Sequence, residues 1–135
     1  MDSHDRPELL NALRETLNDY GGIRLAILFG SQASGRASRQ SDLDLAVQMT
    51  TPLTAAVKMA LIEKLAVVSG LPVDLIDLNR VGEPLLGQIL KQGVRLVGSD
   101  EDYAALLSRH LFDAADFLPY RRRILAERRR TWIGK

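Results

Sequence analysis

The chain has 135 residues, 46% of them hydrophobic and 26% charged, which fits one domain with a real core and excludes a disordered or fibrous protein. It has no cysteine, which excludes disulfides, thiolate metal sites and thiol chemistry. No apolar run is long enough to span a membrane, and the first residues lack signal-peptide character. The sequence therefore predicts a cytoplasmic protein with no membrane association.

The net charge of +1 is distributed unevenly along the chain. Residues 121–135 contain seven basic residues and one acidic residue, whereas residues 1–120 carry five more acidic than basic residues. The two arginine triplets, 121–123 and 128–130, cover about half the circumference of a predicted helix. This pattern favours docking on a partner protein, with a solvated terminal helix as the alternative. Direct nucleic-acid binding is disfavoured, because no base-reading motif accompanies the arginines.

Hydrophobic spacing and turn residues predict the order of the elements. In the first half we expect a helix, two strands and a second helix, over residues 6–18, 23–29, 43–49 and 54–68. In the second half we expect a strand, a short helix, an edge strand and a helical region, over residues 73–78, 83–92, 94–97 and 100–135. Pro119 should divide that last region into helices near 101–118 and 120–132.

This order predicts an α/β (α+β) fold, in which a small mixed β-sheet is flanked by helices and followed by a C-terminal helical extension. We expect residues 1–118 to form the domain. Residues 119–135 are expected to form a basic C-terminal helix that belongs to the same unit.

A glycine–serine pair ends the first predicted strand and opens a polar loop. Gly30 allows the backbone to turn sharply and to approach a ligand closely. Ser31 offers a hydroxyl and a backbone N–H that suit a phosphate. Arg36 and Arg39 follow in the loop and are candidates for neutralising a triphosphate, although solvated arginines are an equal alternative.

Two aspartates on alternate residues begin the second predicted strand. Asp42 and Asp44 should project from the same face, and two carboxylates held together attract a hard cation, above all Mg²⁺. Asp74, in an apolar strand where we expect it to be buried, is our preferred third carboxylate. Asp77 is the alternative, and its opposite parity in the strand makes it the weaker candidate.

Three carboxylates beside a phosphate-binding turn predict nucleotidyl transfer from a nucleoside triphosphate with two metal ions. One ion would activate an incoming hydroxyl, and the other would hold the triphosphate and stabilise the departing diphosphate. We expect Asp42 and Asp44 to bridge both ions. Asp74 would complete the coordination of the metal ion on the nucleophile side and help to accept the proton of the incoming hydroxyl.

The spacing of these motifs resembles the signature of the DNA polymerase β-like nucleotidyltransferases. A glycine–serine pair, ten residues and an Asp-x-Asp pair occupy positions 30–44. The amino-acid sequence of this stretch is similar to that of the minimal nucleotidyltransferase (MNT) branch. The strand at 73–78 and the segment at 92–97 extend the resemblance, which covers residues 20–120. It implies a compact nucleotidyltransferase fold, with Gly30 and Ser31 at the triphosphate and Asp42, Asp44 and Asp74 as the catalytic, metal-binding carboxylates.

The resemblance also implies a function. Proteins of this branch are typically antitoxins encoded beside HEPN-domain toxins that act as RNases. The type VII antitoxins transfer AMP from ATP to a tyrosine of the toxin, so the resemblance predicts a protein adenylyltransferase with ATP as substrate and two Mg²⁺ ions. Two alternatives stay open, namely an antitoxin that neutralises the toxin by binding alone, and a nucleotidyltransferase that modifies a small molecule or RNA.

Overall fold

The computed structural model describes residues 5–34 and 42–115. The elements, in chain order, are α1 (Asp5–Tyr20), β1 (Ile23–Phe29), α2 (Gly30–Ser34), β2 (Leu43–Met49), α3 (Ala55–Ser69), β3 (Val73–Asp77), α4 (Leu85–Gln92) and β4 (Val94–Val97). A further helix, α5, begins at residue 100 and is described to residue 115. The predicted break at Pro119 and the basic helix over 119–135 lie outside the described residues. Within the described ranges, no helix combines the length and apolarity needed to cross a bilayer.

The four strands form one mixed sheet in the order β3-β2-β1-β4. β1 is antiparallel to both β2 and β4, whereas β2 and β3 are parallel. The parallel pair requires a crossover connection, which α3 supplies. The predicted small mixed sheet flanked by helices is confirmed, with β4 at one edge as expected and β3 at the other.

Alternating side chains along β1 and β2 divide the core into two layers. One face of the sheet packs against α1 and α3, and the opposite face packs against α4 and α5. The most deeply buried residues of β1 and β2 on the first face are Ala26, Leu28, Leu43, Leu45 and Val47. Those on the second face are Leu25, Ile27 and Ala46. Because Leu25–Leu28 are covered on both faces of the sheet, this part of β1 is apolar without alternation.

Local signals set the ends of the elements. Thr54 caps α3, since its hydroxyl accepts a hydrogen bond from the N–H of Val57 at 3.3 Å. Gly70 ends α3 in the left-handed conformation, at φ +69°. The stretch after β1, expected to be an open loop, instead forms the single-turn helix α2, in which Gln32 and Ala33 are buried. Burial of this turn against the sheet, rather than helix propensity, makes it regular.

Helix α5 is tied to the loop that follows β3. The guanidinium of Arg109 donates hydrogen bonds to the carbonyls of Leu78, at 2.7 Å, and Val81, at 3.1 Å. Nδ1 of His110 lies 2.5 Å from Oε1 of Glu83. These contacts lie beyond the carboxyl end of β3 and hold α5 across the second face of the sheet.

Candidate active site

The predicted metal-binding carboxylates lie at the end of the sheet where β2 and β3 begin. Asp44 on β2 is opposite Asp74 on the parallel strand β3. On its other side Asp44 is opposite Phe29 on the antiparallel strand β1. Residues opposite each other on neighbouring strands project from the same face. Asp44 and Asp74 therefore lie side by side, on the face that α4 and α5 cover farther along the sheet.

Asp44 is crowded by negative charge. Burial raises the pKa of the Asp44 carboxyl above its ordinary value, and the neighbouring carboxylates of Asp74 and Asp42 raise this pKa further. Among the described residues, no basic side chain forms an ion pair with any of the three aspartates. A bound cation would relieve this repulsion, so the cluster fits a divalent metal.

The carboxylates do not form a closed coordination shell by themselves. Within residues 5–34 and 42–115, no group of three or more aspartate, glutamate, histidine or cysteine side chains converges tightly enough for a metal site. This open arrangement fits Mg²⁺, which binds proteins through one or two carboxylates and completes its shell with water and substrate phosphates. The donor set consists of hard oxygens only, which disfavours zinc.

Gly30 brings the turn after β1 against Asp44. Its φ is +72°, a conformation that residues with a Cβ rarely adopt. A Cβ at this position would lie 2.3 Å from Oδ2 of Asp44 and 3.2 Å from its Cγ. The glycine motif and the aspartate motif are therefore parts of one site, and only a residue without a side chain fits between them.

The other predicted site residues follow Gly30 in the sequence. Ser31 is the second residue of α2 and is half-buried, and its carbonyl accepts a hydrogen bond from the hydroxyl of Ser34 at 3.1 Å. Arg36 and Arg39 lie outside the described residues, so their predicted contact with a triphosphate stays a prediction. Asp42 is exposed, directly before β2, and its charge acts on Asp44.

The register separates the two candidates for the third carboxylate. Asp77 is opposite Val47 at the far end of β3, and its Oδ1 accepts the N–H of Asn79 at 2.9 Å. Asp77 therefore serves a turn, whereas Asp74 is next to Asp44. The expectation that Asp74 is buried was wrong, since it is exposed on an edge strand of the sheet. The case for Asp74 thus depends on strand register and not on burial.

Sequence reasoning missed one residue beside the turn. Arg6, at the start of α1, donates a hydrogen bond to the carbonyl of Ala33 in α2. In the sequence Arg6 is an ordinary helix-start residue 27 positions away from its partner, and no local pattern links the two. A contact of this kind emerges only when the packing of α1 is known.

Comparison with known proteins connects this site to a family. Residues 11–102 match the family model described as "Polymerase beta, Nucleotidyltransferase". The protein adenylyltransferase MntA of Shewanella oneidensis is 36% identical over 80 residues. That alignment covers 59% of this chain and 58% of the relative, so it spans less than two thirds of the relative's length.

Solved structures match more of the chain. A chain in the crystal structure of a toxin–antitoxin with AMP-PNP superimposes with a TM-score of 0.76 and 28% identity, covering 87% of this chain and 96% of that one. A chain in the complex of a tri-AMPylated Shewanella oneidensis HEPN toxin with an MNT antitoxin gives a TM-score of 0.72 and 25% identity, over 90% and 97%. With more than half of its length in the family model, and with the glycine turn and the aspartates brought together, the chain belongs to the polymerase beta nucleotidyltransferase family and is similar to its minimal nucleotidyltransferases.

Proposed function

We propose that this protein is the antitoxin of a HEPN/MNT pair and that it transfers AMP from ATP to a tyrosine of its HEPN toxin. The observation that carries the proposal is the crowding of Asp44, Asp74 and Asp42 beside the turn at Gly30, without a basic partner among the described residues. Similarity to an adenylyltransferase and to toxin–antitoxin structures with AMP-PNP or with AMP on the toxin supports it.

The cluster also favours transfer over neutralisation by binding alone. Three carboxylates at one sheet end, with no basic partner in residues 5–34 and 42–115, repel one another and oppose folding, and docking on a toxin does not require them. An arrangement with that cost is explained by a catalytic site. An ATP-dependent reaction is also consistent with the cytoplasmic location predicted from the sequence.

The proposed reaction exchanges one bond at the α-phosphorus of ATP. The tyrosine oxygen forms the new bond to this phosphorus, the bond to the bridging oxygen breaks, and diphosphate leaves. Asp42, Asp44 and Asp74 are the residues that would hold two Mg²⁺ ions. When bound, Mg²⁺ makes a hydroxyl more acidic and neutralises charge on a leaving diphosphate.

The protein's own groups supply the rest of the proposed chemistry. The backbone at Gly30 and Ser31 would hold the triphosphate against the aspartates, with Arg36 and Arg39 as further contacts for its charge. Asp74 is exposed, which allows it to accept the proton of the tyrosine hydroxyl and to pass it to solvent. Asp44, the most crowded of the three, would contribute mainly charge.

The proposal is tested by the intact mass of the HEPN toxin encoded beside this chain. The two proteins are co-purified and incubated with ATP and Mg²⁺, with ATP omitted, and with ATP and a chelator in place of Mg²⁺. We expect the toxin's mass to rise in AMP-sized steps only in the first case, because the carboxylates cannot bind a triphosphate without the metal. An unchanged mass in a complex that stays intact would favour the alternative of an antitoxin that acts by binding.

Replacing Asp74 and Asp77 separately with asparagine tests the assignment of Asp74 as the third carboxylate. Asp74→Asn is expected to slow AMP transfer about 100-fold or more, because it removes a carboxylate that lies beside Asp44. Asp77→Asn removes the same charge from the same strand, and its side-chain oxygen can still accept the N–H of Asn79. We expect it to retain full activity.

The measurement is the single-turnover rate of AMP incorporation into the toxin, with thermal melting as a check on folding. If Asp77→Asn were inactive and Asp74→Asn fully active, the third carboxylate would have to be reassigned to Asp77.

A further inference from the structure

Arg6 connects the first helix to the turn that begins at Gly30. Its half-buried guanidinium donates a hydrogen bond to the backbone carbonyl of Ala33, near the end of α2. Helix α1 otherwise packs against α3, β1 and β4. Arg6 therefore gives α1 a hydrogen bond to α2.

Helix α2 has little to hold it in place by itself. It contains five residues, too few for an independently stable helix, and its last carbonyls have no partner within the helix. Ala33 is only 6% exposed, so its peptide group is poorly hydrated and needs a donor from the protein. Arg6 supplies this donor from an element that is firmly packed through Leu13 and Leu17, both fully buried.

The charge of Arg6 has no acidic partner in the part of the chain that the structure describes. A guanidinium has five donor N–H groups in a fixed plane, and here it is directed at a backbone carbonyl. This geometry is typical of an arginine that fixes a loop and not of one in a surface ion pair.

We propose that Arg6 is a positioning residue for the nucleotide site. By holding the carbonyl of Ala33, it fixes α2 and thereby the backbone of Gly30 and Ser31 that would bind the triphosphate. The inference rests on the proposed function, and it assigns Arg6 an effect through α2 and not a contact with the nucleotide.

Arg6→Met tests the proposal, because methionine keeps the apolar stem and removes the donor. The dissociation constant of AMP-PNP with Mg²⁺ is measured by calorimetry on the full chain, and amide hydrogen exchange is followed in the nucleotide-free protein. We expect binding to weaken roughly 3- to 10-fold, the effect of one lost hydrogen bond, and the amides of Ser31–Ser34 to exchange faster. Arg6→Lys, which keeps a long donor, is expected to restore most of both properties.

Arg109→Met is the matched control. Arg109 also donates to backbone carbonyls, those of Leu78 and Val81, but at the other end of the sheet. We expect this variant to melt at a lower temperature and to leave AMP-PNP binding and the exchange of α2 unchanged.

Each other result contradicts the proposal in a recognisable way. Wild-type affinity in Arg6→Met would show that the contact with Ala33 does not affect the site. Weaker binding with unchanged exchange of α2 would assign Arg6 a direct contact with the phosphates. If Arg6→Met does not fold, weaker binding without faster exchange of α2 in a folded Arg6→Lys variant would contradict the proposal in the same way. If the wild-type chain did not bind AMP-PNP, the proposed function would fail together with this inference.

Discussion

Replacing Asp44 with asparagine is expected to slow AMP transfer roughly 10²- to 10³-fold, the loss typical of removing one preorganised electrostatic group. Asp44 lies between the turn at Gly30 and the carboxylate of Asp74, so its charge is central to the cluster. Asparagine has nearly the same shape, and the fold and the association with the toxin should be retained. The measurement is the single-turnover rate of AMP incorporation into the co-purified toxin.

The same substitution should stabilise the metal-free protein at neutral pH. The pKa of Asp44 is raised in the folded state, first by burial and then by Asp74 and Asp42, so the folded protein binds this proton more tightly than the unfolded chain does. The free energy of unfolding therefore decreases as the pH rises from 3.8, the ordinary pKa of an aspartate, through the raised pKa of Asp44. At pH 7 the ionised Asp44 carboxylate still destabilises the folded protein. Asp44→Asn removes this charge and with it the destabilisation.

Thermal melting in a chelating buffer checks the sign of this effect. We expect Asp44→Asn to melt above the wild type at pH 7 and the difference to narrow as the pH falls towards 3.8. Asp113→Asn, at an exposed position on α5, is a control that should change neither melting nor transfer. A fully active Asp44→Asn variant would refute the catalytic role of Asp44. If this variant melted below the wild type at pH 7, the ionised Asp44 would not be destabilising as we infer.

The sequence predicts well those features that depend on neighbouring residues. The bounds of β1 and β2 agree with the predicted 23–29 and 43–49, because an apolar run stops at Gly30 and another begins after Asp42. The proximity of Asp42 to Asp44, whose pKa it raises, likewise follows from their spacing in the sequence. By contrast, the turn after β1 becomes helix α2 because Gln32 and Ala33 are buried by distant parts of the chain.

Features that depend on strand order required the structure. The parity argument favoured Asp74 over Asp77, but the pairing of Asp74 with Asp44 follows only from the parallel register of β2 and β3. The exposure of Asp74 follows from the position of β3 at the edge of the sheet, which no pattern within the strand reveals. The contact of Arg6 with Ala33 depends likewise on how α1 crosses the sheet.

Replacing Gly30 with alanine is expected to reduce AMP transfer about 100-fold, the cost of moving a reacting group by an ångström. The new Cβ would lie 2.3 Å from Oδ2 of Asp44, so either this carboxylate or the backbone of the turn must move. The positive φ of +72° adds backbone strain of about 1–2 kcal/mol, which lowers the free energy of unfolding. Urea denaturation measures the loss of stability, and single-turnover transfer to the toxin measures the loss of activity.

Gly70→Ala separates the strain from the displacement of Asp44. Gly70 has nearly the same φ, +69°, but a Cβ there would have no atom within 4 Å. It should therefore lose about 1–2 kcal/mol of stability through the same backbone strain and keep full transfer activity. If both alanine variants lost stability and both kept their activity, the close approach of Gly30 to Asp44 would have no part in catalysis. Loss of transfer in Gly30→Ala alone would establish that the site requires the space beside the carboxylate, and not merely a flexible turn.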